Sequence, residues 1–200
     1  MDRAEFDARW RAFEEKCRQC KACALRENAT NTVIYRGSRT APLMIIGEAP
    51  GAEEDAVGQP FVGKSGQLLQ NLLVAFDIDE KMYHICNIVK CRPPENRRPE
   101  REEAAACKKL LAEQFFLVRP KIIVLSGSTA YEAFYDKKPV MRDVRGKWDE
   151  RNGYYIMTTY HPAYALRNEG MKIPLYEDIA KVRAKMEEIG LLPPLTPISK

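Results

Sequence analysis

Four short, almost unbroken apolar runs set the strongest limit on how this chain folds. They are Leu43-Met44-Ile45-Ile46, Tyr83 to Val89, Lys121-Ile122-Ile123-Val124-Leu125 and Tyr154 to Thr159, the last following an Asn152-Gly153 turn. Runs of this length without polar alternation read as strands buried on both faces, which is the habit of parallel sheets joined by crossover helices. Helical patterns lie around them. Phe6, Trp10 and Phe13 stripe Arg3 to about Cys17, and Leu68, Leu69, Leu72, Leu73 and Phe76 form one face of a helix with Ser65 as its expected cap. A further helix is expected to open at Pro99, with Glu100, Glu102 and Glu103 in its first turn and Ala104, Cys107, Leu111 and Phe115 buried. Leu175, Ile179, Val182, Met186 and Ile189 stripe the last one. This order argues for an α/β sheet covered on both sides. In such sheets ligands bind in the loops leaving the carboxyl ends of the strands, which directs attention to residues 47–63, 87–96 and 160–168.

Composition narrows the class. With 200 residues, 45% hydrophobic and 30% charged, the chain reads as one globular domain over residues 1–200, with a loose tail expected at 191–200. No apolar run approaches the ~20 residues of a membrane helix. The amino terminus lacks the apolar stretch of a signal peptide, so a cytoplasmic protein is expected. Nothing suggests an obligate interface, so a monomer is expected. A net charge of +4 permits a polyanionic partner without announcing one. Two histidines, His84 and His161, exclude a His-rich metal site.

Six cysteines without a secretion signal favour metal or redox chemistry over disulfides. Cys17, Cys20 and Cys23 are spaced C-x2-C-x2-C, while Cys91 and Cys107 form a wide second pair. Thiolates from two distant segments can surround zinc or an iron–sulfur cluster; the wide pair fits the bulkier cluster better. Its expected role is structural, tying the amino-terminal segment to the helix that bears Cys107. Cys86, in mid-strand, reads as a small buried apolar residue. Gly58 to Ser65 matches the phosphate-loop pattern G-x-x-x-x-G-K-[ST], but no strand leads into Gly58, and Pro60 and Phe61 sit where backbone amides should wrap a phosphate. It reads as a chance match, although the backbone at Gly63, Lys64 and Ser65 could still hold a DNA phosphate.

Three segments taken together are far more specific. They are Gly47-Glu48-Ala49-Pro50-Gly51-Ala52-Glu53-Glu54-Asp55 running on to Gly58-Gln59-Pro60-Phe61-Val62-Gly63, then Cys86-Asn87-Ile88-Val89-Lys90-Cys91-Arg92-Pro93-Pro94-Glu95-Asn96-Arg97, and His161-Pro162-Ala163-Tyr164-Ala165-Leu166-Arg167-Asn168. From about Cys20 to the last helix the chain resembles the family-4 uracil-DNA glycosylases, the iron–sulfur branch of that superfamily. The resemblance implies a three-layer α/β/α sandwich around a four-stranded parallel sheet, and a four-iron, four-sulfur (4Fe-4S) cluster on Cys20, Cys23, Cys91 and Cys107, with Cys17 spare. It also implies uracil-containing DNA as substrate. The basic insert ending in His that marks a branch trapped covalently on DNA is absent, so turnover is expected.

The resemblance, with the chemistry of base excision it implies, assigns the roles. A base inside a duplex must be flipped out before its glycosidic bond is reached. Phe61 is the expected platform under the ring, and Asn87 the reader of the uracil N3 and O4 edge. His161 is expected to donate to O2 as negative charge gathers there, either neutral or protonated. By resemblance Glu48 and Glu54 orient water and counter the sugar cation, Glu54 also walls off a thymine methyl, and Ala49 stands in the first motif where other branches carry Asp. Leu166 and Arg167 resemble a wedge entering the vacated stack, with Lys64 and Ser65 as further DNA contacts. Arg92, Arg97, Arg98 and Arg101 are expected either at phosphates or on a solvated face. The rival readings are a phosphate-loop hydrolase and a non-catalytic iron–sulfur DNA-binding protein; any replication or repair partner is left open.

Overall fold

The computed structural model of the protein describes residues 2–195. Its six strands are β1 (Arg36–Gly37), β2 (Leu43–Gly47), β3 (Tyr83–Asn87), β4 (Ile122–Ser126), β5 (Trp148–Arg151) and β6 (Tyr154–Thr159). They lie in the order β1-β3-β2-β4-β6-β5. The four inner strands are the four apolar runs, and they pair in parallel. β1 and β5 are antiparallel edges, added to the four strands expected.

Alternation along each inner strand sorts side chains to two faces. Met44, Ile46, Ile123 and Leu125 meet α1 (Arg3–Arg18), α5 (Arg101–Val118) and α6 (Ser128–Tyr135) through Phe13, Cys107, Leu110 and Ala130. Leu43, Ile45, Ile122 and Val124 meet α4 (Lys64–Ala75) and α9 (Lys172–Glu188) through Leu69, Leu73, Ile179, Val182 and Met186. Three layers result, helix on sheet on helix. The remaining helices are short: α2 (Leu25–Asn28), α3 (Ala52–Val57), α7 (Met141–Val144) and α8 (Pro162–Arg167).

Several details depart from the sequence expectations for physical reasons. α3 forms inside the acid-rich loop. Gly63, not Ser65, is the cap of α4, and Glu54 accepts its N–H. The helix expected at Pro99 has Glu100 as its cap, and its buried stripe is Glu103, Cys107, Leu110, Gln114 and Val118. Ala104, Leu111 and Phe115 are only partly buried, because two polar residues, each hydrogen-bonded, take the inner positions. Within the expected tail, residues 191–195 contact α9: Leu191 N–H donates to the Met186 carbonyl at 2.8 Å and Arg183 Nη2 to the Pro193 carbonyl at 2.6 Å. The rest of that expected tail lies outside the described residues. Among the described residues no helix is long and apolar enough to cross a membrane.

Candidate active site

The parallel register aligns the carboxyl ends of the inner strands, with Gly47 opposite Asn87 and Ser126 opposite Thr159. The loops that leave these ends enclose a cavity of about 630 Å³. Glu48, Ala49, Glu54, Phe61, Asn87 and His161, drawn from all three motif segments, line it together. Of the expected DNA contacts, Ser65 and Arg167 reach its wall; Lys64 lies exposed at the start of α4, and Leu166 projects beside the cavity from the last turn of α8, 40% exposed.

Phe61 is fixed from several sides. It adopts a left-handed backbone, φ +57°, while Arg36 Nη1 donates to its carbonyl at 2.9 Å. Gly66 packs so closely beneath that carbonyl that a Cβ there would collide with it, and a Cβ on Gly47 would lie 2.6 Å from the ring. Glu54 completes the arrangement. Its carboxylate accepts from Gly51, Val62 and Gly63 N–H at 3.0–3.1 Å, which pins the turn on both sides of the ring. The same bonds dispose of the phosphate-loop reading: the amides of Val62 and Gly63 already face a carboxylate, and α3 separates Gly58 from the nearest strand. Glu48 accepts from the Thr129 hydroxyl on α6 and lines the cavity.

Asn87 ends β3 almost fully buried, yet its Oδ1 has no hydrogen-bond partner among the described residues. Buried amide oxygens are rarely left so, and this one belongs to a side chain that lines the cavity. The His161 and Phe61 rings lie 5.5 Å apart, and His161 Nδ1 accepts from Ala163 N–H at 3.2 Å. That bond puts the proton of a neutral imidazole on Nε2. Burial, with the Arg167 charge adding to it, pushes the His161 pKa down to about 4, so the ring is neutral at physiological pH. Gly127 leaves room for this ring, since a Cβ there would come 3.1 Å from His161 Cβ. Tyr160, the first residue of the third expected loop, lines the cavity as well; Gly127, Ser128 and Met141 also line it and were not foreseen, although Gly127 and Ser128 directly follow β4. His84, by contrast, is fully buried and does not line the cavity: its Nδ1 is bonded to Ser38 O at 2.8 Å, and its Nε2 to Gln114.

Three of the four arginines of the middle segment pair with acids, and the fourth, Arg92, bonds Asn96 of the cavity wall. Arg97 forms a forked pair with Glu103 at 2.6 and 2.9 Å, Arg98 pairs with Glu132, and Arg101 with Asp136.

A second, smaller cavity gathers Cys17 from α1, Cys20 and Cys23 from the turn beyond it, Cys91 from the loop after β3 and Cys107 from α5. All six cysteines are free thiols. Burial pushes Cys17 and Cys91 up to about 12 and raises Cys107 as well. Among the described residues no three ligating side chains come close enough for a single metal ion. The thiols stand around a shared space instead, a donor set suited to a bulkier group.

A family model described as the uracil DNA glycosylase superfamily matches residues 34–184. The chain is 41% identical to the type-4 uracil-DNA glycosylase of Thermotoga maritima, over 88% of this chain and 94% of that one. It is 42% identical to the type-4 uracil-DNA glycosylase of Saccharolobus solfataricus, over 84% of this chain and 81% of that one. It is also 38% identical to the type-4 uracil-DNA glycosylase of Sulfurisphaera tokodaii, over 86% and 82% respectively. Fold, cavity and relatives agree, and the chain belongs to the type-4 branch of the uracil-DNA glycosylase superfamily.

Proposed function

We propose that this protein is a monofunctional DNA-repair glycosylase that takes a flipped uracil into the 630 Å³ cavity and hydrolyses its N-glycosidic bond. The observation that carries the proposal is the convergence of Phe61, Asn87 and His161 in one cavity, with a buried amide oxygen that has no other partner among the described residues. Uracil stacks on Phe61. Asn87 Oδ1 accepts from N3–H while its Nδ2 donates to O4. Cytosine presents the reversed pattern and leaves these groups unpaired, which is the strong form of discrimination.

As the C1′–N1 bond breaks, its electron pair moves to the base and charge gathers on O2. His161, neutral and with its proton on Nε2, donates there. Glu48, held by Thr129, orients the water that adds to the sugar and faces the positive charge that develops on it. Glu54 acts one step back: with both oxygens bonded to backbone amides, it shapes the turn that presents Phe61 and closes the side where a thymine methyl would lie. Ala49 lines the wall without chemistry of its own. Among the described residues no lysine lines the cavity, which fits hydrolysis rather than a Schiff base. Leu166 enters the vacated stack, with Arg167, Lys64 and Ser65 at the DNA backbone. Cys20, Cys23, Cys91 and Cys107 would hold a 4Fe-4S cluster, which supplies a covalent tie between the amino-terminal segment and α5 and no chemistry at the sugar.

An oligonucleotide with one uracil tests the reading. The purified protein is expected to release free uracil and leave an abasic site whose backbone breaks only on alkali treatment. Asn87→Ala is expected to lose uracil selectivity. Tight binding without base release would instead identify a non-catalytic DNA-binding protein.

A further inference from the structure

Lys90 lies between the two cavities and is used by neither of the roles above. Its side chain is only 1% exposed. Nζ donates to the carbonyl of Asn87 at 2.8 Å and to Gln114 Oε1 at 2.5 Å. Gln114, itself fully buried, passes its Nε2 donors to Ile34 O and His84 Nε2. Among the described residues the ammonium's oxygen partners are both neutral, and no carboxylate bonds it. Glu113, next to Gln114 on α5, pairs with Lys16 at 2.5 Å instead. A buried cation held only by neutral groups leaves its charge uncompensated and needs an anion close by. Lys90 lines the cysteine cavity, next in sequence to Cys91.

We infer that Lys90 is the built-in counter-cation of the thiolate-bound metal centre, and that its bond to the Asn87 carbonyl makes the base-reading residue depend on that centre. This rests on the iron–sulfur reading proposed above. A 4Fe-4S core bound by four thiolates would be a net anion, and the buried ammonium would offset part of that charge through the protein interior. Lys90 is thus a positioning residue: it touches no substrate and acts on the uracil edge only through the backbone of Asn87.

The test compares holoprotein of the wild type with Lys90→Gln, which keeps amide donors for the two oxygens but no charge, and with Lys90→Arg, which keeps the charge. The first reading is iron per chain and the rate at which visible absorbance is lost to an iron chelator. The second is selectivity for uracil over cytosine in an otherwise identical oligonucleotide. Lys90→Gln is expected to lose its cluster at least about tenfold faster and to lose selectivity with it, while Lys90→Arg stays within about threefold of wild type in cluster loss. Soluble Lys90→Arg beside insoluble Lys90→Gln also supports the charge requirement. Equal cluster retention in all three proteins overturns the inference, and so does failure of both variants to fold, since packing rather than charge is then the requirement. Wild-type protein purified without oxygen and still free of iron would sink the cluster reading itself, and this inference with it.

Discussion

Gly47→Ala is the substitution whose effect follows most directly from the packing of the site. Gly47 ends β2 opposite Asn87, and an added Cβ would stand 2.6 and 2.7 Å from Phe61 Cε2 and Cζ while colliding with Asn87 Oδ1. Carbon atoms settle at about 3.5–4.0 Å, so the ring must retreat by ~1 Å. Both residues are buried, at 5% and 1% exposure, and cannot swing into solvent. Displacement of that size in a reacting geometry costs roughly 10²-fold in rate, or ~2.7 kcal/mol of transition-state stabilisation. Overpacking alone costs about 1–3 kcal/mol of stability, a few degrees in Tm for a chain of this length. Single-turnover release of uracil, run beside thermal melting, separates the two effects. Gly170→Ala is the control, because nothing lies within 4 Å of its missing Cβ. The expected result is a folded Gly47→Ala protein at least about 50-fold slower, with Gly170→Ala unchanged. Excision by Gly47→Ala within threefold of wild type would refute the claim that Phe61 and Asn87 act as a single fitted surface.

Other outcomes follow from the same geometry. Glu54→Gln cannot accept from Gly51, Val62 and Gly63 at once; a buried N–H left unpaired costs about 1–3 kcal/mol, read as a lowered Tm together with a raised KM. The two histidines both have depressed folded-state pKa values through burial, His161 to about 4 and His84 to about 3, against 6.5 ordinarily. Their stabilisation is complete above about pH 6.5 and is lost as pH falls toward 4 and then 3, because the unfolded chain takes up protons the fold refuses. Imidazole titration by NMR should show both rings neutral at pH 5.5, and a His161 midpoint near 6.5 would contradict the assignment. Cys91→Ala should lower iron content and soluble yield before it alters chemistry, as measured by iron analysis against the activity of the surviving protein.

The parts of the fold that announced themselves in the sequence were those whose environment is uniform. The four inner strands are apolar on both faces, and they were legible as runs. β1 is two residues long and β5 reads Trp-Asp-Glu-Arg, because an edge strand meets water and needs no apolar pattern. The buried face of α5 was misjudged because apolarity was taken as the sign of burial, whereas Gln114 is buried among Lys90, His84 and the Ile34 carbonyl. Long-range hydrogen bonding leaves no trace in local periodicity. The site was legible as three loop motifs at strand ends, which topology then brought together. Its supports were not: Arg36 beneath Phe61, Thr129 on Glu48 and Gly127 behind His161 are ordinary residues whose importance lies in where the fold carries them.

Titrating free uracil into isotopically labelled protein, followed by NMR, tests the central claim most directly. The side-chain amide of Asn87, the ring protons of Phe61 and the imidazole of His161 should all shift along one binding curve, while cytosine at equal concentration moves none of them. A uracil response that leaves the Asn87 amide unmoved, or that cytosine reproduces, would contradict the account.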